Sequence, residues 1–269
     1  MHLTKITLLI ALFTFIGCSQ NTKPFPPQTT ASANSSSAAP AAPAEPASPA
    51  EPAAPAADPA STGSVSGVIN FKGALPRLPS LDMSADPMCP QDPQPAETVM
   101  VKNGKLANVF VYVKEGLHGS FPAPSQPATL DQKACRYIPR MLGVMVGQPF
   151  KITTDDQAIH NVHPMPSKNP QWNETQMPGD KPIVKKFEHP EMMIPMQCNQ
   201  HPWMRAYVNV MPNPFFAVSG PDGSFEIKDL PPGEYTIAAV HERFGEKTMK
   251  VKVAPKQRAK ADFEYSAGK

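Results

Sequence analysis

Residues 198–204 read Cys-Asn-Gln-His-Pro-Trp-Met, and Ile159-His160-Asn161-Val162-His163 stands about forty residues upstream. A Cys-x2-His-x2-Met run places a thiolate, an imidazole and a thioether in seven residues, few enough for the loop at a hairpin end, and Pro202 stiffens that loop. A second imidazole from a neighbouring strand, His160, would complete a set of two nitrogens, one thiolate and a weak axial thioether. Such a set suits a copper ion in both oxidation states, the soft thiolate favouring Cu(I) and the imidazoles Cu(II). Zinc also accepts Cys and His but gains little from Met204. A buried Cys, a turn His and a core Met form the plain alternative. The donors at this spacing favour one metal ion held by Cys198, His201, Met204 and one upstream His. A binuclear copper centre would need a second Cys in the ligand loop, and 199–204 contain none.

His163 differs from His160 by an odd number. On a strand the two therefore face opposite sides. Val162 and the preceding Asp155-Asp156-Gln157 turn favour strand over helix, which sets His163 apart from the metal. Met165, Met177, Met192, Met193, Met196 and Met211 could form a Cu(I)-handling surface, although Met is more often a core gap-filler. His118, His189 and His241 have no partner pattern, and the adjacent pair His241-Glu242 is a weak signal. The sequence contains no nucleophile elbow, P-loop, dinucleotide fingerprint or paired-carboxylate motif. The expectation is a protein that is not an enzyme.

The elements that must hold these donors read as strands. Short alternating or Val-rich runs fall at 64–71, 107–114, 143–153, 205–210, 224–227, 234–240 and 247–253. Turn signals separate them: Lys102-Asn103-Gly104-Lys105, Gly220-Pro221-Asp222-Gly223 and Pro231-Pro232-Gly233. No stretch after residue 18 has a convincing 3.6-residue apolar period, so the fold class expected is all-β.

Two resemblances sharpen this. The pattern Asp222-Gly223-Ser224-Phe225 followed by Leu230-Pro231-Pro232-Gly233-Glu234-Tyr235 resembles carboxypeptidase regulatory-like domains, which are small transthyretin-like β-sandwiches. The Gly67-Val68 strand resembles their first strand. On this reading 63–127 and 214–265 form one sandwich split around an insertion; two unrelated β-domains in series are the alternative. The insertion, 128–213, resembles a cupredoxin of the amicyanin or plastocyanin type, a Greek-key β-sandwich. The specific part is the Cys-x2-His-Pro-aromatic-Met loop, supported by Val146-Gly147-Gln148-Pro149-Phe150-Lys151-Ile152-Thr153 ahead of His160-Asn161-Val162. The resemblance implies His160, Cys198, His201 and Met204 as ligands of a single copper. It also implies Asn161 as the residue bracing the ligand loop by hydrogen bonding, and His201 as the ligand nearest the surface, through which electrons pass.

The N-terminal part is different in kind. Residues 1–17 combine a basic start, an apolar stretch from Ile6 to Ile16 and Gly17, the pattern of an export signal. Phe15-Ile16-Gly17-Cys18 resembles the bacterial lipoprotein signal, which implies lipidation of Cys18 and anchoring to a bilayer. Ser19 follows it, without the Asp that the same resemblance associates with inner-membrane retention, so the expectation is the outer membrane, the protein facing the periplasm. Residues 21–62 contain 10 Pro, 14 Ala and 6 Ser. Such chain cannot bury enough apolar surface to offset its ordering, so 18–62 is expected to be a disordered, semi-extended tether.

The full chain has 269 residues, 4 Cys and a formal net charge of +2. That balance argues against a nucleic-acid surface. Lipid on Cys18 would leave three cysteines. In an oxidising compartment Cys89 and Cys135 can pair, freeing Cys198 for metal, or both can remain buried thiols. The function expected is electron transfer by a membrane-anchored type 1-like copper protein with redox-protein partners. The alternatives are copper delivery without electron transfer, or a structural β-sandwich lipoprotein.

Overall fold

In the computed structural model, residues 61–267 are described. The export signal, Cys18 and nearly all of the tether lie outside them. The described residues form strands and turns and contain no helix, as the all-β reading expects.

Strand Gly63–Lys72 alternates buried and half-buried positions along almost its whole length, the period-2 signature of a sheet with one face inward. It pairs antiparallel with Ser224–Leu230 and parallel with Arg258–Lys260 and Phe263–Ser266. A second sheet runs Phe216–Val218, Phe110–Glu115, Gly233–His241, Gly245–Val253. Val65, Ile69, Val111, Val113, Ile227, Leu230, Ile237 and Phe263 fill one core between the two sheets. Residues far apart in the chain thus share a single sandwich. The turn chemistry is visible locally. Asn103 and Gly104 both take positive φ in the two-residue hairpin between Val101–Lys102 and Lys105–Leu106. Asp222 Oδ1 accepts from the amide and hydroxyl of Ser224, at 3.0 and 2.7 Å. Tyr235 donates its hydroxyl to the Pro231 carbonyl at 2.6 Å, closing the Pro-Pro-Gly corner.

The second sandwich is built from two mixed sheets. One runs Ile183–Lys185, Phe150–Thr154, Ala128–Gln132, Tyr137–Ile138; the other runs Glu174–Gln176, His160–Pro164, Glu191–Gln197, Arg205–Met211, Met141–Met145. The run at 143–153, read from sequence as one strand, is two. Gly147 has φ 76°, and the Gln148 amide donates to the Met145 carbonyl at 3.0 Å, so the chain turns and crosses from one sheet to the other. Leu130, Tyr137, Val144, Phe150, Ile152, Phe187, Ile194 and Val208 fill the core between the sheets. Met83 and Cys89 pack in this same core, although they precede it by some forty residues, and Cys89 is disulfide-bonded to Cys135.

A third cluster joins the two sandwiches: Phe110, Tyr112 and Ala238 from one, Met141 and Met211 from the other. Gly143 permits the approach. A Cβ there would lie 2.4 Å from the Phe216 ring. Arg140 and Glu242 cross the same seam as a two-pronged ion pair, at 2.5 and 2.7 Å, with both side chains largely buried.

Candidate metal centre

Strands Glu191–Gln197 and Arg205–Met211 pair antiparallel, and 198–204 is the loop at their end. Inside it the Met204 amide donates to the His201 carbonyl at 2.9 Å, and the Cys198 amide to the Met204 carbonyl at 3.4 Å. The loop folds back on itself, with Cys198, His201 and Met204 all buried and Pro202 exposed. His160 opens the adjacent strand His160–Pro164 and is 0% exposed.

The ligand atoms of His160, Cys198 and His201 lie within 4.8 Å of one another. The two Nδ1 atoms are 2.9 Å apart, and Cys198 Sγ is 3.7 Å from Nδ1 of His201. Among the described residues Cys198 is the free thiol; Cys89 and Cys135 are consumed by each other. Met204 is buried in the same core.

Each imidazole meets a carboxylate on its far edge. Nε2 of His160 is 2.8 Å from Asp156 Oδ2, and Nε2 of His201 is 3.0 Å from Asp86 Oδ2. Burial disfavours charging His160, yet the bonds to Asp156 and Cys198 outweigh it and raise its pKa to about 9. Burial also opposes ionisation of Cys198. Hydrogen bonding from His160 and from the backbone at Asn161, His201 and Gln200 prevails, holding the thiol below its ordinary range. Each ring can donate from Nε2 to its carboxylate, which leaves one further proton between the two Nδ1 atoms. A proton held between two nitrogens beside a thiolate-prone sulfur is what a soft cation would replace. The donor set therefore fits a copper ion on its own chemistry: two imidazole nitrogens, one sulfur and a thioether residue of the same loop, all buried.

Asn161 Oδ1 accepts from the Asn199 amide at 2.8 Å and from the Cys198 thiol at 3.3 Å, and Nδ2 donates to Asn173. It joins its strand to the ligand loop. His163 points elsewhere, with Nδ1 3.1 Å from Asn199 Oδ1 and Nε2 2.6 Å from the Gln171 amide nitrogen. The methionines are dispersed. Met196 is in the second core, Met192, Met193 and Met211 line the seam, and Met165 and Met177 are exposed.

His201, expected as the ligand nearest the surface, is itself buried, 3% exposed against 0% for His160, 2% for Cys198 and 1% for Met204. The segment between the paired strands Ser80–Leu81 and Gln94–Pro95 lies over it and brings in Asp86. The open edge next to it is Pro202 and the half-buried Trp203, whose ring centroid is 5.1 Å from that of His201.

Asp86 and Asp156 were not picked out as site residues from the sequence. Asp156 carried a signal, since an acid four residues before a ligand His can reach its far nitrogen. Asp86 had only its closeness to Cys89 as a clue, because 115 residues separate it from His201.

No family model and no curated protein matches the chain. Among solved structures, a purple cupredoxin from Nitrosopumilus maritimus is similar at 24% identity, covering 31% of this chain and 99% of that one, with a TM-score of 0.27. An oxidised amicyanin variant is 19% identical over 38% of this chain and 98% of its own, with a TM-score of 0.29. A copper-containing nitrite reductase from Thermus scotoductus SA-01 is 17% identical over 37% of this chain and 25% of its own, with a TM-score of 0.30. TM-scores this low carry no argument about the site, which stands on its own geometry.

Proposed function

We propose that this protein is an exported, lipid-anchored mononuclear copper protein that transfers electrons and has no catalytic reaction of its own. The observation that carries the reading is the convergence of Nδ1 of His160, Sγ of Cys198 and Nδ1 of His201 within 4.8 Å in a buried pocket. Met204 follows in the same loop. Copper held by these residues would supply one-electron chemistry between Cu(I) and Cu(II). The chain's own part is to keep the donors fixed. Asn161 ties loop to strand, Asp156 and Asp86 orient the two rings, and the core excludes water.

Redox partners would meet the exposed edge at Pro202 and Trp203. Anchoring through Cys18, on the periplasmic side of the outer membrane, rests on the 15–18 sequence and is tested by detergent-phase partitioning of the full chain against Cys18→Ser. In this reading the sandwich of 63–127 and 214–265 is a regulatory-like scaffold around the 128–213 insertion.

Metal analysis and a visible spectrum of the copper-loaded protein decide the central claim. An intense thiolate-to-copper charge-transfer band, lost in Cys198→Ala, is expected. A colourless Cu(II) complex, or retention of zinc in preference to copper, overturns it. A delivery role would show instead as Cu(I) handed to a partner with no reversible redox couple. The burial of His201 under the Asp86 segment favours the electron carrier, because a covered ligand is slow to exchange.

A further inference from the structure

Asp86 sits in a segment that contributes no strand of its own, yet it is closely held. Its amide donates to the Met83 carbonyl at 3.2 Å, and its carbonyl accepts from the Cys89 amide at 3.0 Å and from the Gln91 side chain at 3.2 Å. Its Oδ1 accepts from the Met88 amide at 2.8 Å, which leaves Oδ2 aimed at Nε2 of His201. Met83 is buried in the second core, and Cys89 is bonded to Cys135. The Cys135 amide in turn donates to Asp156 Oδ2 at 2.8 Å, the oxygen that meets His160. The two carboxylates behind the two imidazoles are therefore joined through one disulfide.

We propose that Asp86 is a positioning residue of the metal centre, holding His201 by Nε2 so that Nδ1 faces Cys198, and setting the preference of the site for Cu(II) over Cu(I) through its negative charge. This rests on the copper reading above. The physical basis is direct. A carboxylate accepting from the outer nitrogen fixes the ring and makes the inner nitrogen a stronger donor. Its charge, close to the centre on a half-buried side chain, stabilises the more positive oxidation state. Asp156 does the same for His160 from within the same sheet region. Asp86 differs in coming from a separate stretch of chain, 115 positions away, which Met83 and the Cys89–Cys135 bridge hold over His201.

The test compares the purified full chain with Asp86→Ala and Asp86→Asn. In the metal-free wild type the Nε2 proton of His201 should appear as a protected signal in 15N-edited NMR, and it should be lost in Asp86→Ala. With copper loaded, both variants should bind Cu(II) about tenfold more weakly. If Cu(I) affinity is unchanged, that ratio raises the potential by about 59 mV for one electron. Asp86→Asn is the discriminating variant, since it keeps the shape and an acceptor and removes only the charge. Variants that match the wild type in Cu(II) affinity and potential overturn the inference while leaving the copper reading intact. A wild type that holds no copper overturns the copper reading and the inference with it.

Discussion

Asn161 Oδ1 lies 3.3 Å from Cys198 Sγ, and the same oxygen accepts from the amide of Asn199. One buried carbonyl thus sets both the position of the thiol and the start of the loop that carries it. Asn161→Ala should remove the Asn199 amide's partner, at a cost of about 1 kcal/mol in stability. It should also weaken copper retention. Thermal unfolding with and without copper measures both, and an unchanged variant would remove Asn161 from the site.

His163→Ala should leave copper content and the visible band unchanged, because its ring nitrogens meet Asn199 and Gln171 rather than the ligand group. Metal analysis of the variant checks this. Loss of copper comparable to that in His160→Ala would show that the parity argument failed.

Arg140 and Glu242 form a buried pair across the seam between the sandwiches. Arg140→Met alone should cost about 3–5 kcal/mol, because Glu242 is left buried and uncompensated. The double variant Arg140→Met with Glu242→Leu should recover most of that loss. Denaturant titration of the single and double variants supplies the cycle.

Burial, with Arg140 and Arg243 close by, pushes His241 down to about 4. The unfolded chain binds this proton near pH 6.5, and the folded chain only near pH 4. The contribution is therefore complete above pH 6.5 and is lost as pH falls through that window to 4, amounting to about 3 kcal/mol. His241→Asn keeps an acceptor for the Arg243 amide, which bonds Nδ1 at 3.1 Å, and should flatten the stability profile between those limits. A wild-type profile that is already flat there would contradict the assignment.

Breaking the Cys89–Cys135 bridge, 46 residues apart, should destabilise the chain by about 4 kcal/mol on the loop-entropy account. The Cys89→Ser with Cys135→Ser variant measures it by thermal unfolding. The variant should also hold copper less tightly, since Asp86 hangs from the same segment.

Much of the centre was legible because its donors are close in sequence. Cys198, His201 and Met204 share one loop, and the chemistry of that donor set does not depend on knowing the fold. The strand carrying His160 was legible from Val162 and the preceding Asp155-Asp156-Gln157 turn, and the hairpin at Asn103-Gly104 from its turn residues. What was not legible depends on tertiary placement. The run at 143–153 was read as one strand although Gly147 and Pro149 mark a turn inside it; that its halves belong to different sheets depends on tertiary placement. The burial of His201 was invisible for the same reason. It is covered by chain that reads as an unremarkable Asp- and Pro-containing loop, brought there by a disulfide and a buried Met83. The methionines mostly behave as the gap-fillers they were expected to be, with Met196 in the second core and Met192, Met193 and Met211 at the seam, while Met165 and Met177 are exposed.

The disulfide has a bearing on how the molecule is made. Three cysteines in the described chain allow three single pairings, and any one of them leaves one thiol. Counting thiols therefore cannot tell the right product from the wrong ones. Only the pairing of Cys89 with Cys135 leaves the sulfur at 198 beside His160 and His201. Copper retained per chain would then be a census of correctly oxidised molecules, and metal arriving before oxidation would shield Cys198 from the two errors that consume it.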